Sequence, residues 1–203
     1  MGNPRSMPRA RRAVPARKPE RALQGQAEAL RAFLKQGGVI AYPTESCYGL
    51  GCDPMNRGAV EKILRLKGRG AAKGLILIAA NRNQLRPYAA RAAIEAAWHK
   101  GRWPGPVTWV LPAAKTCPDW LTGGRATVAV RITAHPGAAA LCKQAGMALV
   151  STSANKSGAS PARTAAQCEV VFGKRVRVLE GEIGARQRPS TLIDLASGKV
   201  LRK

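Results

Sequence analysis

Leu75-Ile76-Leu77-Ile78-Ala79-Ala80 is an uninterrupted run of apolar residues, and it decides the fold class. Such a run predicts a strand covered on both faces, whereas a half-exposed strand alternates apolar and polar residues. Helices on both sides of a sheet are a common way to provide that cover. The run therefore predicts an α/β domain.

The segments on either side of this run alternate between helical and strand patterns. Apolar residues spaced by three and four predict helices over residues 22–36, 58–66, 91–99 and 135–145. Short apolar stretches predict further strands over residues 39–42, 109–111, 127–132 and 148–150. Pro43 ends the first strand and begins a loop that we expect to continue to Asp53. Strand order and direction stay open, because they cannot be read from these patterns.

Length and composition indicate one globular domain. The chain has 203 residues, of which 45% are hydrophobic, which is enough to bury a core. No stretch approaches the roughly 20 apolar residues that a membrane span needs, and no apolar segment follows the basic N-terminus. Five cysteines, an odd number, argue against a disulfide framework. We therefore expect a cytoplasmic protein without a membrane segment.

The chain is strongly basic, with 34 Lys and Arg against 11 Asp and Glu and a formal net charge of +23. Such a charge favours phosphate-rich partners. Residues 1–20 contain four prolines and a run of like charge, which predicts a basic, disordered arm before a catalytic domain over residues 21–203. The arm is either an RNA-binding segment or a plain solvated tail, and an internal start at Met7 is a further alternative.

Three loops concentrate hydroxyl and cationic side chains at the ends of apolar segments. They cover residues 43–49, 67–73 and 151–158. Each loop alone also fits a structural interpretation, as a turn, a basic helix end or a polar connection. Together, their cations suit phosphates and their hydroxyl and amide groups suit hydrogen bonding, so the combination favours a triphosphate.

Several other site classes are disfavoured. The sequence lacks the P-loop pattern, the dinucleotide fingerprint and the G-x-S-x-G serine elbow. Cys47 and Cys52 form a lone pair without further zinc ligands. His135, before Pro136 at a predicted helix start, favours a structural role, and the four tryptophans favour core or loop-anchoring roles.

Six blocks, in order, resemble the YrdC/TsaC family, specifically its short single-domain type. They are IAYPTE at 40–45 with YGLGCDP at 48–54, LKGR at 66–69, KGLI at 73–76, WPGPVT at 103–108, VAVR at 128–131 and STSANKSG at 151–158. The resemblance runs from about residue 23 to residue 202. It implies a twisted open α/β sandwich of YrdC type with a positively charged concave cleft.

The resemblance also implies roles for particular residues. The family's K-x-R and S-x-N pattern falls on the expected catalytic residues Lys67, Arg69, Ser153 and Asn155. The expected ATP-binding residues are Lys67, Arg69, Lys73, Thr127, Ser153, Asn155 and Arg202. The expected threonine-binding residues are Ser46, Arg131, Ser151 and Ser190, with Arg131 facing the α-carboxylate. Ser46 replaces a threonine and Lys73 an asparagine found in many family members.

The activity implied by the resemblance is the synthesis of threonylcarbamoyl-AMP and pyrophosphate from L-threonine, bicarbonate or CO2, and ATP. Mg²⁺ would arrive with the nucleotide. The product would pass to a downstream threonylcarbamoyl-transfer complex that modifies tRNA to N6-threonylcarbamoyladenosine. The alternative is a non-catalytic RNA-binding module that uses the basic cleft. That alternative explains the charge but not the ordered blocks.

Overall fold

The computed structural model describes the backbone of residues 18–203 and the side chains from residue 24 onward. Its helices are α1 (Lys18–Lys35), α2 (Arg57–Lys67), α3 (Arg91–His99), α4 (Asp119–Thr122), α5 (Pro136–Ala145) and α6 (Ala165–Phe172). Its strands are β1 (Ile40–Pro43), β2 (Tyr48–Gly51), β3 (Ile76–Ala79), β4 (Val107–Pro112), β5 (Thr127–Ile132), β6 (Leu149–Ser153), β7 (Arg177–Val178), β8 (Thr191–Asp194) and β9 (Val200–Arg202). This mixed α/β architecture confirms the predicted fold class. Among the described helices, none is long and apolar enough to cross a membrane.

The described strands form one mixed sheet in the order β7-β1-β2-β6-β3-β5-β4-β8-β9. Strand β6 joins its two halves, because residues 149–151 pair with β3 while Thr152 and Ser153 pair with β2. The partner of Ser153 is Gly49, and the partner of Ser151 is Ile76. The predicted 151–158 loop therefore begins inside a strand, at the junction of the two halves.

Alternating side chains divide the sheet into two covered faces. Leu77 and Ala79 of β3 pack into a core with helices α2, α3 and α6, while Ile78 between them packs against α1 and α5 on the other face. This alternation follows from the two-residue repeat of a strand. Both faces of β3 are therefore covered over residues 77–79, as the apolar sequence predicted.

Helices α1 and α5 leave part of their sheet face uncovered. Their core contacts Ile40, Tyr42, Ile78 and Leu149. By the same alternation, Ile76, Arg131, Ser151 and Ser153 lie on this face. Because no helix packs over that part of the described structure, these side chains form the floor of a cleft.

Local signals explain several element ends. Asn56 caps the start of α2 by accepting from Ala59 N at 2.9 Å. His135 caps α5 by accepting from Ala138 N at 3.2 Å, which confirms its structural role. Trp103 and Trp109 are buried, and Trp120 donates to the carbonyl of Pro54 at 3.1 Å. These tryptophans have the structural roles that their sparse spacing predicted.

The structure differs from the predicted elements in several places, and helices α4 and α6 are among the elements that were not predicted. The loop expected from Pro43 to Asp53 contains strand β2, which pairs antiparallel with β1. Three strands after residue 176 were not predicted, because they are short and lie among polar residues. Helix α1 begins at Lys18, so the predicted arm is helical over its last three positions; the rest of that arm, residues 1–17, lies outside the described residues.

Candidate active site

Two adjoining cavities occupy the uncovered sheet face. The first has a volume of about 360 Å³ and the second about 430 Å³. The two cavities share four lining residues, which are Arg69, Leu75, Ile76 and Arg202. A molecule in one cavity would therefore lie directly beside a molecule in the other.

The first cavity collects all four residues that were expected to bind threonine. Ser46 lies in the loop after β1, Arg131 in β5, Ser151 in β6 and Ser190 just before β8. Arg131 and Ser151 are buried, whereas Ser46 and Ser190 are partly exposed. Residues from four separate parts of the chain thus converge on one small polar space.

Five of the seven expected ATP-binding residues line the cavities. Ser153 lines the first cavity, Lys73 and Thr127 line the second, and Arg69 and Arg202 line both. Side chains of Val110, Leu121, Leu192 and Leu201 complete the second cavity. The second cavity therefore combines cations with an apolar wall, which suits a nucleotide with its phosphates directed toward Arg69 and Arg202.

The other two, Lys67 and Asn155, do not line either cavity, so their expected contact with the ligand stays a prediction. The ammonium of Lys67 donates to the carbonyl oxygens of Ser153 and Asn155 and to Oδ1 of Asn155. Lys67 is only 4% exposed. An ammonium has three N–H groups, so these three acceptors use all of them. Lys67 therefore holds the 153–158 loop through hydrogen bonds on the side away from the two cavities.

Asn155 is enclosed by the same loop. Its Oδ1 accepts from Ser153 Oγ at 2.6 Å, and its Nδ2 donates to the carbonyls of Lys156 and Ala159. Burial, followed by repulsion from Arg69, lowers the pKa of Lys67 to about 8, while the oxygen acceptors around it favour the charged form. The residues of the K-x-R and S-x-N pattern thus join the end of α2 to the loop after β6, and Ser153 lies at the cleft surface.

Arg69 reaches the cleft because helix α2 ends sharply. Gly68 adopts a left-handed conformation with φ of +60°, which terminates the helix and turns the chain. Arg69 then donates through Nη2 to the carbonyl of Gly74 at 3.1 Å. Its Nε is buried and has no hydrogen-bond partner among the described residues. Burial and then the neighbouring Arg125 lower the pKa of Arg69.

Three guanidinium groups meet where the cavities join. Partial desolvation, followed by repulsion from Arg131 and Arg69, lowers the pKa of Arg202. Arg202 donates to the carbonyl of Ser190 at 2.9 Å and to its Oγ at 3.2 Å. The Ser190 hydroxyl is also 2.8 Å from Thr108 Oγ1. Such converging positive charge favours the binding of an anion between the groups.

Arg163 is a cleft residue that the sequence did not predict. It lines the first cavity and donates from Nη1 to the carbonyl of Ser46 at 3.0 Å. Its position just before α6, outside the resembling blocks, provided no signal. Cys47 also lines this cavity, but burial raises the pKa of its thiol, so it is not a ready thiolate nucleophile.

The segment before β8 forms another wall of the first cavity through Gln187, Pro189 and Ser190, of which the sequence predicted only Ser190. Its Gly184 N–H donates to the carbonyl of Thr44 at 2.9 Å. Tyr48 donates from its hydroxyl to the carbonyl of Gly181 at 2.8 Å. A side chain at Gly184 would place Cβ 2.7 Å from the carbonyl oxygen of Glu45, so glycine permits this close approach.

The described residues offer no protein-built metal site in the cleft. They contain no group of three or more His, Cys, Asp or Glu side chains placed to hold an ion. The first cavity is lined by four arginines, which are Arg69, Arg131, Arg163 and Arg202. Such a donor set fits anions and does not fit a cation held by the protein itself.

Comparisons with known proteins identify the relatives of this architecture. A family model described as Sua5/YciO/YrdC, telomere recombination, matches residues 32–203. A threonylcarbamoyl-AMP synthase of Thiobacillus denitrificans is 62% identical over 180 residues, covering 88% of this chain and 96% of the relative.

Solved structures share the fold. P. abyssi Sua5 complexed with L-threonine superposes with a TM-score of 0.77 at 34% identity, covering 85% of this chain. This chain spans about half, 52%, of that longer protein. E. coli YciO superposes with a TM-score of 0.74 at 28% identity, with 89% of each chain covered. These similarities match the family resemblance that the six sequence blocks carry.

Proposed function

Since this chain belongs to the Sua5/YciO/YrdC family, we propose that its cleft synthesises threonylcarbamoyl-AMP from L-threonine, bicarbonate-derived CO2 and ATP. The observation that carries the proposal is the pair of adjoining cavities with Arg69 and Arg202 at their boundary. One cavity has the size and polarity for an amino acid, and the other suits a nucleotide. Their shared boundary is where the two substrates react.

The reaction joins the two substrates without a protein nucleophile. The threonine amine adds to CO2 and loses a proton, which gives a carbamate. A carbamate oxygen then attacks the α-phosphorus of ATP, and the bond from that phosphorus to the departing pyrophosphate breaks. The enzyme is accordingly a nucleotidyltransferase. Its contribution is to align the reactants and to stabilise the charge that develops on the phosphate oxygens.

The two cavities divide these tasks. In the first, Arg131 receives the α-carboxylate of threonine, while Ser46, Ser151 and Ser190 provide hydroxyl contacts. In the second, Thr127 and the apolar wall hold the nucleoside, and Lys73 with Arg69 faces the phosphates. Arg69 has a buried Nε–H without a partner among the described residues, so it retains a donor for a phosphate oxygen.

Mg²⁺ enters this scheme as part of the nucleotide substrate. The cleft residues do not fit a resident ion, so no protein step depends on one. When bound to ATP, Mg²⁺ neutralises phosphate charge and keeps most of its water ligands. The cationic side chains of the cleft then stabilise the phosphate charge that Mg²⁺ does not neutralise.

The product serves tRNA modification in the cytoplasm. A threonylcarbamoyl-adenylate is an activated acyl donor, so a later transfer complex passes its threonylcarbamoyl group to an adenosine of tRNA. A binding-only RNA module is the weaker alternative. The buried donors of Arg69 and Arg131 lie inside small cavities, where compact anions reach them better than a nucleic-acid helix does.

The proposal is tested by incubating the full chain with ATP, bicarbonate and L-threonine. We expect pyrophosphate and threonylcarbamoyl-AMP to form only when all three substrates are present. Pyrophosphate release that does not depend on threonine, or the absence of adenylate with all three substrates, would contradict the proposal.

A further inference from the structure

Arg131 has a buried acidic partner, Glu45. Glu45 Oε2 lies 3.0 Å from Arg131 Nη1, and the two side chains are only 12% and 8% exposed. Arg131 lines the first cavity, whereas Glu45 is not among its lining residues. Glu45 therefore contacts Arg131 from behind, on the side away from the cleft.

Glu45 is itself held in place by its surroundings. Its other carboxylate oxygen, Oε1, accepts from Thr133 Oγ1 at 2.8 Å, and Thr133 N donates to the carbonyl of Ala79 at 3.1 Å. The carbonyl of Glu45 accepts from Arg186 N at 3.1 Å. The side chain of Glu45 is thus anchored to Thr133, just after β5, and its backbone is anchored to the segment before β8.

Arg131 keeps unused donors despite this ion pair. Its Nε is buried and has no hydrogen-bond partner among the described residues. A guanidinium carries five N–H donors in a rigid plane, so fixing one nitrogen fixes the direction of the others. A buried donor without an acceptor is unfavourable, which makes a ligand oxygen in the first cavity a favourable partner.

The pair is poorly explained as a stabilising device. Burying an ion pair costs desolvation energy that its attraction often fails to recover, whereas holding a charged group in one orientation is useful at a binding site. Without Glu45, the long Arg131 side chain would have several rotamers and would be repelled by Arg202 nearby. Both effects would weaken the binding of a carboxylate.

We propose that Glu45 is a positioning residue that orients the Arg131 guanidinium to receive the α-carboxylate of the amino-acid substrate. This inference rests on the proposed function, because it takes threonine as the ligand of the first cavity. Glu45 acts through Arg131 and does not touch the substrate. Its effect should therefore be specific to threonine and should require an intact Arg131.

The first test compares Glu45→Gln with Glu95→Gln. Glutamine keeps the shape of Glu45 but loses its charge, and Glu95 pairs with Arg82 away from both cavities. We expect Glu45→Gln to raise the KM for threonine by about 10- to 100-fold, because the Arg131 guanidinium loses the anion of its buried ion pair. The KM for ATP should stay within about twofold, and Glu95→Gln should change neither constant.

A double-mutant cycle tests whether Glu45 acts through Arg131. In the Arg131→Lys background, Glu45→Gln should add little to the threonine KM, because the guanidinium that Glu45 orients is already absent. Additive effects, or equal losses for threonine and ATP, would overturn the positioning role. Thr133→Val, which removes the hydroxyl that donates to Glu45 and accepts from His135 N at 3.2 Å, provides a milder variant if Glu45→Gln does not fold, and it should raise the threonine KM alone.

Failure of this inference and failure of the proposed function are distinguishable. If the unmodified chain makes no adenylate, the proposed function is wrong, and calorimetric binding of L-threonine by the unmodified chain and by Glu45→Gln decides the positioning role. If the unmodified chain is active and Glu45→Gln keeps its threonine KM, only the positioning role is wrong.

Discussion

The ammonium of Lys67 donates to the backbone carbonyl of Asn155 at 2.9 Å, across 88 residues of sequence. A second bond, to Asn155 Oδ1, spans 3.2 Å. The end of helix α2 is thereby joined to the loop that follows β6, and the Ser157 N–H returns a bond to the carbonyl of Lys67 at 2.7 Å. The cleft wall that includes Ser153 depends on this connection.

Replacing Lys67 by methionine should therefore reduce stability as well as activity. The change leaves buried oxygen acceptors without a donor, which costs about 1 to 3 kcal/mol in the free energy of unfolding. Urea unfolding and adenylate formation measure the two effects. Lys156→Met is the matched control, because Lys156 is exposed in the same loop. Lost activity with unchanged stability would instead indicate that Lys67 contacts the phosphates directly.

Arg69→Ala should impair ATP use with little loss of stability. Arg69 lines both cavities and has a donor that no described residue accepts. Loss of such a charge at a reacting phosphate costs on the order of 100-fold in kcat/KM. Steady-state kinetics with varied ATP measures the effect. Arg65→Ala removes an equal charge from the exposed side of α2 and should have almost no effect; similar losses in both variants would show that only overall charge matters.

Serine should be a poor but detectable substrate. A pocket distinguishes threonine from serine only through the methyl group, which is worth roughly 1 to 3 kcal/mol. Valine should be worse, because it leaves the hydroxyl contacts of the first cavity unpaired. Competition between the three amino acids for adenylate formation gives the ratios of kcat/KM. A preference for valine over serine would show that the serine-lined cavity does not hold the side-chain hydroxyl.

Deletion of residues 1–17 should leave adenylate synthesis unchanged. All the expected site residues lie between Ser46 and Arg202, and helix α1 keeps its first residue, Lys18. The deletion removes five arginines, so any RNA binding that involves them should depend less steeply on salt. Replacing the same arginines by glutamine separates charge from length. An unchanged salt slope would show that the segment does not contact RNA phosphates.

The sequence by itself determined the α/β class, the main helices and central strands, and three of the loops that border the cleft. Apolar spacing in residues 58–66 and the continuous run at 75–80 are local features, so they report secondary structure without knowledge of the fold. The family resemblance carried by the ordered blocks likewise implied the four expected threonine-binding residues, which the fold brings to one cavity.

Only the tertiary structure decided which polar side chains face the cleft and which support it. Lys67 and Arg69 are two positions apart, yet one is enclosed by carbonyl oxygens and the other lines both cavities. Glu45 and Arg131 meet because the loop after β1 and strand β5 approach one another in space. Burial and pairing depend on distant parts of the chain, and for that reason neither follows from local sequence.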